Sequence, residues 1–288
     1  MSNGRAVDLR HERVGDAEAV VAVPAVSPPR CAVLVLAGSS GRIDEERVRL
    51  LASAGAVAVG LRWFGGNGQP PGICEIELES FTPALDLLGG YGAPLVVLGT
   101  SKGAEAACLL ALNDPRVSAV VAFAPTDVVW ANVGAGRDGQ DEPPRSSWTK
   151  AGQPLPFVPL ESGWADPDDP PAYLGWHLRS RNVHADRLQM AMIPLERFDG
   201  TVLLVAGDDD QVWDSAASAH RIRNRRAEAG KATTVLVGPD AGHRTLLPGE
   251  SPPVGGHRMQ RGGTRAADAA LGAEAWSRLV HALGLHAR

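Results

Sequence analysis

A serine, several aspartates and a histidine stand in this chain where three of them could share one reaction. Ser101 lies in "LGTSKGAEAA", between glycines spaced G-x-S-x-G. A serine hydroxyl is a weak nucleophile until a neighbouring base takes its proton. His243, in "VLVGPDAGHRT", could be that base, and an aspartate of "VLLVAGDDDQVW" could orient the imidazole and stabilise its positive charge. The chemistry open to such a set is acyl transfer through an ester formed on the serine. Asp210 stands three residues past Gly207, the offset expected for the acid; Asp209 is the alternative, and Asp208 reads as a cap or a solvent-facing residue. Asp127, in "APTD", is a rival from an earlier loop, where an aspartate more often caps a helix or turn. His220 falls in a basic helix and reads as a surface residue, while His257 and His281 have no evident partner.

These residues need a scaffold that delivers them to one place. "APLVVLGT" reads as a strand and "KGAEAACLLALNDP" as a helix, so Ser101 would sit on the tight turn between them, a nucleophile elbow. The competing reading is a serine that caps a helix. The order decides between them: acid and histidine follow the serine, each just past the end of a later strand. An oxyanion on the substrate would then meet the N–H of Lys102 and that of Ser39, with Ser40 next in line, from the "GSSGR" loop after "AVLVLAG". The Lys102 side chain is expected to face solvent or pair with a nearby acid.

The rest of the chain fits that scaffold. "AVDLRHERVG" and "AEAVVAVPAV" read as an edge hairpin. "RCAVLVLAG", "AVAVGLRW", "VSAVVAFAP", "GTVLLVAG" and "ATTVLVG" read as buried strands. Helical patterns alternate with them: "DEERVRLLASAG", "EIELESFTPALDLLGGYG", "SAASAHRIRNRRAEAG" and "GAEAWSRLVHALGLH". Such alternation predicts an α/β architecture, a mostly parallel central sheet with helices on both faces; with the Ser, acid, His order it is the α/β-hydrolase fold. Residues 126–197 interrupt the pattern with Pro, Gly and Asp and with Trp130, Trp148, Trp164 and Trp176. Four tryptophans are poor material for disorder. The expectation is one domain over residues 1–288, with 126–197 as an ordered lid in which Trp148, Trp164 and Trp176 line a substrate pocket.

Composition narrows the partners. The 288 residues carry a net charge of −5, which argues against a general binder of nucleic acid or acidic membrane. No stretch approaches the roughly 18 apolar residues of a membrane span, and the first twenty residues lack a signal-peptide run. Cys31, Cys74 and Cys108 are scattered without metal-ligand spacing and read as buried free thiols in a reducing cytoplasm. No cofactor or metal is expected. Arg221, Arg223, Arg225 and Arg226 could meet phosphates, but an exposed helix face explains them more simply. Lys102, Lys150 and Lys231 are the only lysines, a bias toward arginine that suggests a GC-rich bacterial genome.

Taken together, "GTSKGAE", "AGDDDQVW" and "AGH" resemble the catalytic domain of the family of acyl-CoA thioesterases and bile acid-CoA:amino acid N-acyltransferases. "LAGSSGRIDEERVRLLASAGAVAVGLRWFG" and "PGICEIELESFTPALDLL" resemble the family's glycine-rich loop, its helices and the strand between them, and the likeness runs from about residue 30 to the C-terminus. The resemblance implies Ser101 as nucleophile, Asp210 or Asp209 as acid and His243 as base. It implies a thioester of coenzyme A or of a carrier protein as substrate, with release of the acid. Transfer to an amine or alcohol, cyclisation, and dienelactone-hydrolase-like ester cleavage use the same residues. This chain departs from the pattern at Arg42, where a small residue is usual, and has serine where the family's amino-acid transferases have cysteine. It is also expected to lack room for the N-terminal β-sandwich of larger members.

Overall fold

The computed structural model of the chain describes residues 7–25, 27–134, 143–252 and 258–286. β1 (Val7–Val14) and β2 (Ala17–Pro24) form the expected antiparallel hairpin. There follow β3 (Ala32–Leu36), α1 (Glu45–Ser53), β4 (Val57–Leu61), a short β5 (Ile76–Glu77), α2 (Thr82–Gly89), β6 (Leu95–Thr100), α3 (Lys102–Asn113) and β7 (Val117–Phe123). The irregular segment after β7 holds β8 (Trp148–Lys150), β9 (Gln153–Pro154), α4 (Leu174–Val183) and α5 (Leu188–Ala191). The alternation resumes with β10 (Thr201–Gly207), α6 (Ser215–Glu228), β11 (Thr234–Gly238) and α7 (Arg265–Ala282).

Eight strands make one sheet in the order β1-β2-β4-β3-β6-β7-β10-β11. β2 meets β4 antiparallel, and every pairing from β4 to β11 is parallel. A strand whose residues are all apolar can be covered on both faces, and every residue of β3 and β4 is buried. Leu34, Val97, Val120 and Leu204 face one layer of core with α2, α3 and α6. Their strand neighbours Val33, Val96, Val121 and Val205 face the other with α1 and α7. A three-stranded sheet, β5-β8-β9, ties the segment after β7 to the chain before α2.

Two helices differ from expectation. Residues 75–92 do not form one helix: β5 and a 3-10 turn over Leu78–Phe81 come first, and α2 starts only at Thr82. Pro83 lacks an N–H and suits the first turn of a helix but not its interior. The last helix begins earlier than the "GAEAW" pattern suggests. The Thr264 hydroxyl accepts from Ala267 N at 3.1 Å and caps the alanine-rich start of α7.

Candidate active site

The turn between β6 and α3 is strained and locked. Ser101 has φ 57° and ψ −121°, a left-handed conformation uncommon for a residue with a side chain. Its N–H donates to Phe123 O on β7 at 2.9 Å, and its carbonyl accepts from Ala104 N at 2.8 Å and Glu105 N at 3.1 Å. The flanking glycines have a steric reason. A Cβ on Gly99 would collide with the Gly103 carbonyl, and one on Gly103 with the Leu36 carbonyl of β3. The helix therefore starts directly against the strands.

Acid and base reach this turn from the two loops that follow β10 and β11. Asp210 is buried and accepts Val212 N at 2.9 Å and Trp213 N at 3.2 Å on Oδ1, and the Ser215 hydroxyl at 2.6 Å on Oδ2. His243 Nδ1 lies 3.0 Å from Asp210 Oδ1 and 2.8 Å from Oδ2. An ionised carboxylate only accepts, so Nδ1 is the donor of this pair, and in the neutral imidazole Nε2 is then the nitrogen with the lone pair. His243 N donates to Arg261 O at 2.8 Å, and Gly242 N to Asp268 Oδ1 at 2.8 Å, which fixes the loop behind the ring. The two loops touch closely: a Cβ on Gly207 would collide with the Ala241 carbonyl.

The other aspartates of the cluster turn elsewhere. Asp209 is exposed and accepts from Gln211 Nε2 and Gly263 N, each at 2.7 Å, while Asp208 accepts from Asp240 N at 2.7 Å. Asp127 is buried and binds Arg181, Arg221 and the Ser218 hydroxyl, joining α4 to α6. Burial alone would raise its carboxyl; Arg181 and Arg221 outweigh burial and hold it below the usual carboxylate range. His220 is half-buried on α6 and His281 lies in the last turn of α7; His257 is outside the described residues.

Lys102 opens α3, where a first-turn amide has no acceptor within its helix. Ser39 lies on the loop after β3, which touches the nucleophile: a Cβ on Gly38 would stand 3.1 Å from Ser101 Cβ. The Lys102 side chain does not face solvent. Its ammonium is buried against Glu105 Oε2 at 2.9 Å and donates to Ser147 Oγ at 2.7 Å and Ala131 O at 3.3 Å. Burial pushes this ammonium down and the Glu105 carboxyl up, and their mutual attraction opposes both shifts.

Two cavities meet at Ser101, and Ser39, Val212 and Met259 also border both. One, of about 320 Å³, is bordered by Ser101 and His243 and by Arg42, Arg244 and Arg261. Burial, together with the like charges of Arg261 and Arg42, pushes the Arg244 guanidinium down to about 10. In its wall the buried Arg47 pairs with Glu250 at 2.7 Å, donates to Thr100 Oγ1 at 2.9 Å and lies 4.6 Å above the Phe123 ring. The other cavity, of about 360 Å³, is aromatic, with Trp130, Trp164, Tyr173, Trp176, His177 and Trp213 on its wall. Trp164 and Trp176 stack at 5.4 Å and 9°.

Trp148 does not join them, and its expected place on the pocket is corrected. It is fully buried, stacks on Trp63 at 5.3 Å and donates from Nε1 to Glu105 at 2.7 Å. Its indole belongs to the base of the segment, where β8 packs on α3, and not to the cavity wall. The arginines of α6 do not form an exposed face. Arg221 and Arg225 turn to Asp127, and Arg226 donates to the carbonyls of Leu195 and Phe198; Arg223 alone of the four is exposed. Arg47 and His177 left no trace in the sequence, because one sits on an apparently exposed helix and the other in a segment without periodicity. Cys31, Cys74 and Cys108 are buried and unpaired with one another, and burial pushes the Cys31 and Cys108 thiols up to about 12. Among the described residues, no group of three or more His, Cys, Asp or Glu could hold a metal, and no helix is long and apolar enough to cross a membrane.

The sheet order, the serine on a strand-to-helix turn and the acid and histidine on later loops define an α/β hydrolase. The chain belongs to the family described as BAAT / Acyl-CoA thioester hydrolase C terminal, whose model matches residues 76–287. It is 25% identical over 265 residues to mouse acyl-coenzyme A thioesterase 6, covering 86% of this chain and 58% of that protein. It is also 25% identical over 285 residues to mouse acyl-coenzyme A amino acid N-acyltransferase 1, covering 95% and 64%. The chain thus spans about three-fifths of the length of these relatives. Its fold is similar to that of a puromycin-hydrolysing peptidase of Mycobacterium tuberculosis, with a TM-score of 0.61 at 14% identity, covering 100% of this chain and 41% of that one.

Proposed function

We propose that this protein is a serine thioesterase that forms an acyl-enzyme on Ser101 and releases the free acid. The observation that carries the reading is the buried Asp210–His243 pair, whose histidine borders the same cavity as a serine held on a left-handed turn. Ser101 Oγ attacks the thioester carbonyl as His243 Nε2 takes its proton, and Asp210 stabilises the imidazolium. The carbonyl oxygen, now anionic, is met by the N–H groups of Lys102 and Ser39. The C–S bond breaks, the thiolate takes the proton from Nε2, and the acyl group stays on Ser101. Water then gives a proton to Nε2 and its oxygen to the carbonyl carbon, which frees the acid and restores the serine.

In this reading the acyl chain occupies the aromatic cavity and the thiol portion the arginine-rich one. Arg42, Arg244 and Arg261 suit the phosphates of coenzyme A or of a carrier's prosthetic arm, because guanidinium forks match phosphate oxygens. Residues 126–197 act as a lid, bringing Trp164 and Trp176 over the acyl group. Hydrolysis is favoured over transfer because an oxoester on serine yields to amines less readily than a thioester on cysteine would. Product partition tests this. With an aromatic acyl-CoA and millimolar amine acceptors, free acid should exceed conjugate; dominant conjugate would make the protein an acyltransferase instead.

A further inference from the structure

Several polar side chains border the aromatic cavity, Asn132, Glu161, Ser162, Tyr173 and His177 among them, and the proposed acyl-enzyme chemistry uses none of these. His177, on α4, faces the cavity between two indoles: Trp130 is edge-on at 4.7 Å and Trp213 at 5.7 Å. Its Nδ1 lies 3.0 Å from the Tyr173 carbonyl one turn back. A carbonyl can only accept, so Nδ1 carries the hydrogen and fixes the tautomer. Burial pushes this imidazole down to about 4, with the Tyr173 carbonyl and Asp210 pulling the other way and Lys102 and His243 adding to the fall. The ring is therefore neutral at ordinary pH, and Nε2 is a bare acceptor. No group among the described residues donates to Nε2. The residue borders the cavity, and Nε2 is the ring nitrogen that the helix carbonyl does not hold.

We propose that His177 is a specificity-determining residue whose Nε2 accepts a hydrogen bond from a hydroxyl or N–H on an aromatic acyl group held in the Trp130–Trp164–Trp176 cavity. The wall sets the class. Indoles on the wall suit a planar ring, and a purely hydrocarbon ring would cover Nε2 without giving it a donor, which costs binding energy. A donor on the ring repairs that loss, so the site should prefer the hydroxylated or amino-substituted aromatic acid over the parent. The imidazole does not touch the reacting atoms; it selects what lies over them.

This inference rests on the acyl-enzyme reading only for which part of the substrate fills the cavity, and binding tests it apart from turnover. In the Ser101→Ala protein, calorimetry would compare 2-naphthoic acid with a panel of its hydroxy and amino derivatives. At least one donor-bearing acid should bind about threefold to tenfold more tightly than the parent. The preference should vanish in Ser101→Ala/His177→Phe and persist in part in Ser101→Ala/His177→Gln, which keeps an acceptor. No preference across the panel, no binding of any naphthoate, or a preference unchanged in the Phe variant would each overturn the assignment. Acylation of Ser101 in the wild type is scored separately. A missing adduct beside an intact His177 preference would count against the catalytic reading alone.

Discussion

Replacing Asp210 by Asn changes one oxygen to an amide nitrogen in a site where every neighbour is a donor. Oδ1 takes two backbone N–H groups, from Val212 and Trp213, and these cannot turn away. The amide oxygen must therefore fill that position, and the NH₂ must fill the place of Oδ2. There it meets the Ser215 hydroxyl, which can rotate to accept, and His243 Nδ1, which lies nearer to Oδ2 at 2.8 Å than to Oδ1 at 3.0 Å. Nδ1 can accept from the amide only by giving up its hydrogen, which moves the proton to Nε2. An Nε2–H cannot take the Ser101 proton. The expected result is a loss of turnover of about 10⁴-fold, or about 5 kcal/mol of transition-state stabilisation. Stability should change little, since each partner retains a hydrogen bond. Thiol release from an acyl-CoA, followed by a thiol-reactive dye, gives the rate, and thermal melting checks the fold. Asp209→Asn is the internal control. Its partners are Gln211 and Gly263, outside the site, and turnover should stay within about threefold, the scale of an exposed hydrogen bond. A folded Asp210→Asn protein within tenfold of wild type, or an equal loss in Asp209→Asn, would refute the assignment of the acid.

Four further outcomes follow from the packing and the charges. Trp148→Phe should cost about 1–3 kcal/mol of stability by stripping a donor from buried Glu105 and leave acyl selectivity unchanged. Trp164→Ala and Trp176→Ala should instead shift the ratio of aryl to alkyl thioester turnover. Arg244→Ala should raise KM about tenfold for a CoA thioester, the scale of a lost charge-assisted contact, and leave the matching pantetheine thioester unaffected; equal effects on both would remove phosphate from that cavity. Asp127 has a depressed carboxyl, so its contribution to stability is present above the unfolded value near ~3.9 and is lost as pH falls through the lower folded value. Melting curves should show Asp127→Asn less stable at pH 7 and less sensitive to acid below about pH 4; parallel wild-type and variant curves would contradict this.

Much of the scaffold was legible because it obeys local rules. Apolar runs bounded by small residues marked every parallel strand of the sheet, and the order of Ser101, Asp210 and His243 followed from where those strands end. The two glycines beside Ser101 are explained by collisions with backbone carbonyls, which the pentapeptide hints at and only the packed strands supply. Side-chain direction was less legible. Trp148 and Trp164 sit in stretches of similar composition, yet one indole turns into the core beneath the segment and the other into the cavity. Lys102, Arg47, Arg221 and Arg225 look like surface charges by spacing, and they are turned toward Glu105, Glu250 and Asp127. Those partners lie 3 to 203 residues away, and most of them are beyond any helical period. His177 gave no signal, because its role depends on two indoles brought to it from distant positions.

The most direct test of the account is to weigh the acyl-enzyme. The protein would be mixed with an aromatic acyl thioester, quenched in acid within the first turnover and measured as an intact chain. The account predicts a mass increase equal to the acyl group less one hydrogen, located on the peptide that contains Ser101 and absent from a folded Ser101→Ala protein. Thioester cleavage at the wild-type rate by Ser101→Ala, or the same adduct on another residue, would contradict it.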